Sequence, residues 1–223
     1  MEKDTELVND KEKDKKSLEK LFSEMGFEEE NNTNKNDEIK ELGEKKMNFQ
    51  KMVMLFKVLS SMNIKKVDSL PIKILDNLYI GSFGAAQNKE ALVNEKITHI
   101  VNAACLVKNF YPEDFTYFRI ENLLDSPEAD IKQYFSQTTP FIKKAISEGG
   151  SVLVHCHAGI SRSSTIIIAY MIEEKNYTFE DALKFCQEKR SKVNPNNGFK
   201  KQLMELEEEL KNIKKNDLKE KEV

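Results

Sequence analysis

From about residue 70 onward, the spacing of apolar residues switches back and forth between two periods, each of which predicts one kind of element. Short apolar runs of strand length lie at residues 72–75, 78–81, 98–105, 115–120 and 151–155. The first two are separated by Asp76-Asn77, a turn signal that predicts a hairpin. Apolar residues at helical spacing predict helices at residues 89–96, 131–148, 163–175, 178–190 and 196–214.

Strands that alternate with helices are typical of an α/β domain. We therefore predict a central, mostly parallel sheet flanked by helices over residues 67–213, followed by a charged tail of residues 214–223. Residues 1–46 hold ten Lys and fifteen Asp or Glu but few large apolar residues. Such a segment buries too little apolar surface to offset the entropy of ordering it, so we expect a mostly disordered extension.

Residues 47–66, between this extension and the predicted domain, have the pattern of an amphipathic helix. Its apolar positions recur at helical spacing among lysines and are Met52, Leu55, Phe56, Leu59 and Met62. One interpretation is a helix that enters the apolar groove of a partner, such as a calmodulin-like protein. The other is a helix that packs on the domain. We favour the second, because Val53, Met54 and Val58 widen the apolar face beyond one groove.

The composition of the chain argues against several classes of function. The 223-residue chain has a formal net charge of −3 and lacks the excess of Lys and Arg that a nucleic-acid partner requires. No apolar run approaches the roughly 18 residues of a membrane span, so we expect no membrane partner. The acidic N-terminus lacks the apolar core of a secretion signal, and the three separated cysteines suggest neither a disulfide framework nor a metal cluster. We therefore expect a cytoplasmic protein, with the nucleus as a second candidate, and no cofactor.

The stretch VLVHCHAGISRSSTIIIAYMI, residues 152–172, places a cysteine and an arginine between a predicted strand and a predicted helix. The amides of a loop that precedes a helix N-terminus form an anion-binding concavity, and Gly159 allows the loop to curl. Arg162 can bring its guanidinium to the same point, where it would bind two phosphate oxygens. These groups also favour a thiolate at Cys156. The sequence therefore predicts a phosphate site with a reactive cysteine.

The loop His155-Cys156-x5-Arg162-Ser163 resembles the catalytic loop of dual-specificity protein phosphatases, which belong to the cysteine-based phosphatase superfamily. Three flanking motifs resemble the same family in the same order, and the resemblance covers roughly residues 69–210: LPIKILDNLYIGSFGAA, NLLDSPEADIKQYF and NPNNGFKKQL. It implies the cysteine-phosphatase fold and a small type without an N-terminal regulatory domain. It also implies phosphoprotein substrates, hydrolysed at phosphotyrosine and at phosphoserine or phosphothreonine through a phosphocysteine intermediate.

The resemblance also assigns roles within the loop. Cys156, which we expect to be exposed at the loop, would attack phosphorus, and Ser163 would ease the later departure of the thiolate. Ser163 is also a candidate N-cap of the helix, and both roles can hold at once. The residues assigned to phosphate binding are His157, Ala158, Gly159, Ile160, Ser161 and Arg162. We expect the side chain of His157 to face outward from this loop.

The leaving oxygen of a phosphoamino acid is strongly basic, so the reaction needs a general acid. Three carboxylates lie in the loop that precedes the helix predicted at 131–148: Asp125, Glu128 and Asp130. Asp130 directly precedes that helix and is best explained as its N-cap, and Glu128 as a first-turn or solvent-facing residue. Asp125 aligns with the acid of the family. We therefore assign the general acid to Asp125, with an ordinary surface residue as the alternative.

Three further residues have predicted supporting or regulatory roles. His155 would orient the loop through hydrogen bonds, and Asn196 in the last motif would support it in the same way. Cys105 ends the strand predicted at 98–105, and parallel sheets gather their active sites at that edge. Some relatives in the superfamily form a reversible disulfide with a second cysteine, which would pair Cys105 with Cys156. A buried core cysteine is the alternative that we favour for Cys105.

Two other functions are weighed against a protein phosphatase. Phosphoinositide phosphatases of this fold tend to carry extra basic residues in the loop, and here no Lys lies between Cys156 and Arg162. A scaffold that reads phosphate without catalysis would not need Cys156, Arg162 and Asp125 together. No metal is expected, because a thiolate and an arginine supply what a two-metal site supplies elsewhere.

Overall fold

The computed structural model describes residues 68–105 and 107–221, with side chains through residue 216. Within these residues, a five-stranded sheet has the order β1-β2-β5-β3-β4. β1 pairs with β2 in antiparallel fashion, and the other three pairings are parallel. The strands are β1 Ile72–Leu75, β2 Leu78–Gly81, β3 Ile97–Asn102, β4 Thr116–Arg119 and β5 Ser151–His155. The predicted α/β class with a mostly parallel sheet is confirmed.

Helices connect these strands and cover both faces of the sheet. They are α1 Phe83–Gln87, α2 Lys89–Asn94, α3 Phe135–Ser147, α4 Arg162–Lys175, α5 Phe179–Lys189 and α6 Asn197–Lys221, with a 3-10 turn at Lys132–Tyr134 before α3. β5 is buried along its whole length. Its side chains alternate between two cores, because Val152 and Val154 belong to the larger cluster and Leu153 to the smaller one.

The larger core is built around α4. Residues 162–172 of this helix are all buried, and residues 166–172 are apolar on every side, as expected for a helix that the core encloses. α3, α5 and α6 contribute apolar residues to the same cluster, whereas α1 and α2 contribute to the smaller one on the other face. The loop between β5 and α4 therefore connects the central strand directly to the central helix.

β3 ends at Asn102, earlier than the predicted strand 98–105. Asn102 Oδ1 accepts a hydrogen bond from the amide of Ala104 at 3.0 Å, and Asn102 Nδ2 donates to the carbonyl oxygen of Val107 at 3.0 Å. Such side-chain bonds compete with the strand ladder. The prediction that Cys105 ends the strand is therefore wrong, since this residue lies in the turn that follows.

Other helix bounds also differ from the predicted ones. α1 was not predicted; the hydroxyl of Ser82 caps it by accepting a hydrogen bond from the amide of Gly84 at 3.1 Å. α6 continues to Lys221, beyond the predicted end at residue 214. Lys and Glu are good helix formers, no Gly or Pro follows Gly198 in this helix, and Glu207 pairs with Lys211 one turn later at 2.6 Å.

The predicted extension 1–46 and the predicted amphipathic helix 47–66 lie outside the described residues, so both remain predictions. In the part of the chain that the structure describes, no helix is both long enough and apolar enough to cross a membrane.

Candidate active site

Three parallel strands end at the same level of the sheet. Gly81 of β2 and Asn102 of β3 both lie opposite His155 of β5. The segments that follow these strands therefore meet at one edge, where α/β proteins bind their ligands. The loop of residues 156–161 occupies the centre of that edge.

Cys156 is the first residue of this loop and lies at its base. The residue is 1% exposed and belongs to the larger core cluster, so the expectation of an exposed cysteine is wrong. The reason is that Cys156 directly follows the buried strand β5 and its side chain contacts Ser163, so the thiol lies between the strand end and the first turn of α4. Its Sγ lies 3.3 Å from Ser163 Oγ. Ser163 is the second residue of α4 and not its N-cap, a position that Ser161 occupies.

The environment of Cys156 favours its ionised form. Burial raises the pKa of the thiol, but the charge of Arg162 and hydrogen bonds from the hydroxyl and the backbone of Ser163 outweigh burial. The pKa of Cys156 is consequently lower than that of an ordinary cysteine. A thiolate, the nucleophilic form of cysteine, therefore forms at a lower pH than it would in a free thiol.

The backbone of the loop is oriented by hydrogen bonds to its outer side. Each carbonyl oxygen of residues 157–161 accepts a hydrogen bond from a group outside the loop. In order, the donors are the Phe83 amide at 3.0 Å, Arg190 Nη2 at 3.0 Å, Arg190 Nε at 2.9 Å, the Asn194 amide at 3.0 Å and the Thr165 amide at 2.9 Å. Because a trans peptide unit is planar, its N–H points opposite to its C=O. The amides of residues 158–162 are thereby directed to the inner side, as an oxyanion cradle requires.

Gly159 permits the close packing of the loop. Its φ of +66° lies in the left-handed region, which side chains other than glycine rarely adopt. A Cβ at this position would lie 2.7 Å from the carbonyl oxygen of Gly81 and 2.9 Å from Arg190 Nη2. The loop can therefore press against both the end of β2 and Arg190 only with a glycine here.

Arg162 and Asp125 lie side by side at the cradle. Arg162 is 5% exposed, and its Nη1 donates to the carbonyl oxygen of Leu123 at 3.2 Å. Its Nε lies 3.6 Å from Asp125 Oδ2. The structure thus brings the predicted general acid to the predicted phosphate-binding guanidinium.

A small hydrogen-bond network positions Asp125. Its Oδ1 accepts from Ser161 Oγ at 2.7 Å and from Asn196 Nδ2 at 3.0 Å. The amide of Asn196 also donates to Ser161 Oγ at 3.2 Å. Asn196 Oδ1 in turn accepts from the amide of Phe199 in the first turn of α6. Asn196 therefore joins α6 to two loops: the acid loop of residues 120–131, which carries Asp125, and the phosphate loop of residues 156–161.

The other two carboxylates of the acid loop lie apart from this network. Asp130 Oδ1 accepts a hydrogen bond from the amide of Gln133 at 3.2 Å, which is the contact expected of a capping residue. Glu128 is exposed. Of the three candidates, Asp125 is the one with contacts to Ser161, Asn196 and Arg162.

The two histidines of the motif have different surroundings. His155 is 1% exposed, and burial lowers its pKa to about 3, so the ring is neutral near pH 7. Its carbonyl oxygen accepts from the amide of Ala103 at 2.9 Å, which joins β5 to the segment after β3. His157 Nε2 lies 3.0 Å from the carbonyl oxygen of Cys105, so its ring does not simply face outward as expected.

No disulfide joins Cys105 and Cys156 among the described residues, and both side chains are buried. The carbonyl contact with His157 brings Cys105 to the turn beside the phosphate loop. A disulfide between Cys105 and Cys156 remains a prediction.

Sequence reasoning missed four residues that shape the site. Arg190 and its carboxylate partner Asp68 lie behind the phosphate loop, and Gln202 and Gly198 lie behind the acid loop. Gln202 Oε1 accepts from the amides of residues 131 and 132, at 2.9 Å each, and its Nε2 donates to the carbonyl oxygen of residue 129 at 2.9 Å. The motif NPNNGFKKQL contains both Gly198 and Gln202, which was the available signal for them.

We expect Gly198→Ala to impair the acid loop while leaving the nucleophile intact. A Cβ at Gly198 would lie 1.9 Å from the carbonyl oxygen of Pro127, so the loop must move away from α6 and Asp125 with it. Turnover of aryl phosphates with strongly basic leaving groups should fall, by about 10-fold or more, while those with acidic leaving groups should change little. Steady-state kinetics on the two substrate types would measure this, with the exposed neighbour Asn197→Ala as the control. Equal losses on both types would contradict the prediction.

These features define a cysteine-based phosphatase domain. Such a domain needs an activated cysteine, inward-facing amides and an arginine to bind phosphate, and a carboxylic acid to protonate the leaving group.

Comparison with known proteins specifies the family. The family model described as "Dual specificity phosphatase, catalytic domain" matches residues 78–209. The chain therefore belongs to the dual-specificity phosphatase family, as its motifs indicated.

Individual relatives agree with this assignment. The chain is 44% identical over 137 residues to a probable rhodanese domain-containing dual specificity protein phosphatase of Dictyostelium discoideum, a match covering 61% of this chain but only 29% of that protein. It is 36% identical over 156 residues to dual specificity protein phosphatase 1 of Arabidopsis thaliana, covering 70% of this chain and 78% of the relative. The crystal structure of the human tyrosine phosphatase-like serine/threonine/tyrosine-interacting protein is similar, with a TM-score of 0.59 and 35% identity over 62% of this chain and 96% of that one.

Proposed function

We propose that this protein hydrolyses phosphotyrosine and phosphoserine or phosphothreonine in proteins through a phosphocysteine intermediate. The observation that carries the proposal is the arrangement around Cys156. Its thiol lies 3.3 Å from Ser163 Oγ at the base of the cradle, and Asp125 lies 3.6 Å from the guanidinium of Arg162.

In the first step, the Cys156 thiolate attacks phosphorus, and the bond between phosphorus and the amino-acid oxygen breaks. The inward amides and Arg162 hold the equatorial oxygens while negative charge develops on them. Asp125 gives its proton to the departing oxygen, which leaves as a neutral alcohol or phenol. The products are the dephosphorylated side chain and an S-phosphorylated Cys156.

In the second step, water attacks phosphorus and gives a proton to the Asp125 carboxylate, which returns the acid to its starting state. The sulfur–phosphorus bond breaks, and Cys156 leaves as a thiolate. Ser163 donates its hydroxyl hydrogen bond to that thiolate and so makes it a better leaving group. Inorganic phosphate is released.

The two alternatives make different demands on the site. An inositol phosphate carries further phosphates, and the loop offers no Lys between Cys156 and Arg162 to bind them. A phosphate-reading scaffold needs the cradle alone, whereas this site also holds the Asp125–Ser161–Asn196 network that positions the carboxyl group of Asp125 beside the cradle. Both observations support an enzyme that acts on phosphoproteins.

The test is phosphate release from a matched set of substrates. The full chain would be incubated with one peptide sequence carrying phosphotyrosine, phosphothreonine or phosphoserine, and with phosphoinositide vesicles. We expect release from the phosphopeptides, and acid quenching should reveal a phosphate adduct on the Cys156 peptide. Release from vesicles alone would favour the lipid enzyme, and binding of phosphopeptides without release would favour the scaffold.

A further inference from the structure

The outer side of the phosphate loop rests on a buried ion pair. Arg190, just beyond the end of α5, is 5% exposed, and Asp68 at the start of the described chain is 9% exposed. Arg190 Nη1 donates to Asp68 Oδ1 at 3.0 Å, and Arg190 Nη2 donates to Asp68 Oδ2. A planar guanidinium held by both carboxylate oxygens has a fixed position and orientation.

The same guanidinium holds two consecutive carbonyl groups of the loop. Arg190 Nη2 donates to the carbonyl oxygen of Ala158 at 3.0 Å, and Nε donates to that of Gly159 at 2.9 Å. Each carbonyl that is pulled outward turns the following amide inward. Arg190 thereby sets the direction of the amides of Gly159 and Ile160, at the middle of the cradle.

The ion pair is itself anchored at the sheet edge. Ser82 Oγ donates to the carbonyl oxygen of Asp68 at 2.7 Å, and the next residue, Phe83, donates its amide to the carbonyl oxygen of His157 at 3.0 Å. The segment that holds Asp68 is thus the same segment that holds another carbonyl of the loop. Gly159 completes the arrangement, because a Cβ there would lie 2.9 Å from Arg190 Nη2.

We propose that Asp68 and Arg190 are positioning residues for the phosphate loop: the carboxylate fixes the guanidinium, and the guanidinium turns two amides toward the substrate phosphate. This deepens the function proposed above and rests on it. Neither residue touches the reacting atoms. Their effect passes through the backbone of Ala158 and Gly159, and so it reaches both the bound oxyanion and the Cys156 thiolate below it.

The test uses measurements that do not require turnover. The rate at which iodoacetamide alkylates Cys156 is measured as a function of pH, with mass spectrometry of the peptide that contains Cys156. The midpoint of this pH profile gives the pH at which the thiol ionises. Protection by inorganic phosphate gives the affinity of the cradle. For Arg190→Met we expect phosphate affinity to fall by up to about 100-fold, because two inward amides lose their orientation. The alkylation midpoint should rise toward that of an ordinary cysteine, since inward amides favour the thiolate.

Two conservative variants separate positioning from stability. Arg190→Lys keeps the charge but not the fork that reaches two carbonyls, so it should recover only part of the lost affinity. Asp68→Asn keeps Arg190 but removes the negative charge and one of the two oxygens that hold its guanidinium. It should therefore weaken phosphate binding less than Arg190→Met does. Arg162, Asp125 and both histidines near Cys156 are unchanged in all three variants. A shift of the alkylation midpoint is therefore caused by a change in the backbone of the phosphate loop.

The control is Ile142→Val. Ile142 lies on the buried face of α3, so this substitution lowers the stability of the fold without changing the phosphate loop. It should lower the melting temperature and leave phosphate affinity and the alkylation midpoint unchanged. The proposal is overturned if Arg190→Lys and Asp68→Asn behave like this control. A wild-type protein that binds phosphate and shows the lowered midpoint, but hydrolyses none of the tested substrates, would refute the proposed function and leave the positioning role standing.

Discussion

Cys156→Ser should abolish turnover, with a loss on the order of 10⁴-fold or more, the scale expected when a nucleophile is removed. A serine hydroxyl fits the same space but does not ionise near neutral pH, so the cradle has no anionic nucleophile to activate. The fold should persist despite the burial of this residue, because the exchange of sulfur for oxygen changes little volume. Circular dichroism and aryl-phosphate hydrolysis on the same preparation would measure both outcomes.

Cys186→Ala is the matched control for that experiment. Cys186 is also fully buried, and burial raises its pKa to about 12, so it is an inert thiol. Its replacement should leave turnover close to the wild-type value. Aryl-phosphate hydrolysis retained by Cys156→Ser would remove the assignment of the nucleophile.

Asp125→Ala should slow the hydrolysis of phosphopeptides by about 10²- to 10⁴-fold, the usual contribution of a general acid. Aryl phosphates with acidic leaving groups need no proton from the enzyme and should be affected far less. Asp125→Asn sharpens the comparison, because an amide oxygen can still accept the hydrogen bond from Ser161 but the side chain has no proton to give. Both variants should therefore show the same dependence on the leaving group in steady-state kinetics.

Glu128→Ala and Asp130→Ala provide the controls within the same loop. Each should lack the leaving-group dependence, since Glu128 is exposed and Asp130 makes a capping contact. If either reproduces it while Asp125→Ala does not, the general acid has been assigned to the wrong carboxylate.

The features that could be predicted from the sequence are local in the chain. The strand, loop and helix around Cys156 are contiguous, so their apolar periods were sufficient to predict that Cys156 follows the strand and that Arg162 lies where the helix begins. The class of the fold followed from the alternation of elements in the same way. The position of Asp125 was predicted from its place in a motif, but its bonds to Ser161 and Asn196 were not.

The features that were missed depend on contacts between distant segments. Asp68 and Arg190 are separated by 122 positions, and Gln202 by 71 from the amide of Ile131 that it binds. No periodicity links such pairs. The burial of Cys156 was missed for a related reason, because the core cluster that encloses its side chain is assembled from residues that are distant in the chain. The early end of β3 came from a side chain, Asn102, that satisfied its hydrogen bonds locally.

Each carbonyl oxygen of residues 157–161 accepts a hydrogen bond from outside the loop, and this affects how the substrate specificity of the enzyme can be changed. The direction of the phosphate-facing amides is set from outside the loop, by groups such as the Phe83 amide and Arg190, and therefore does not depend on the side chains at positions 158 and 160. Those two positions can be randomised in a library while the conformational entropy of the loop stays low. Selection on such a library would alter which phosphorylated side chain is accepted, without rebuilding the chemistry beneath it.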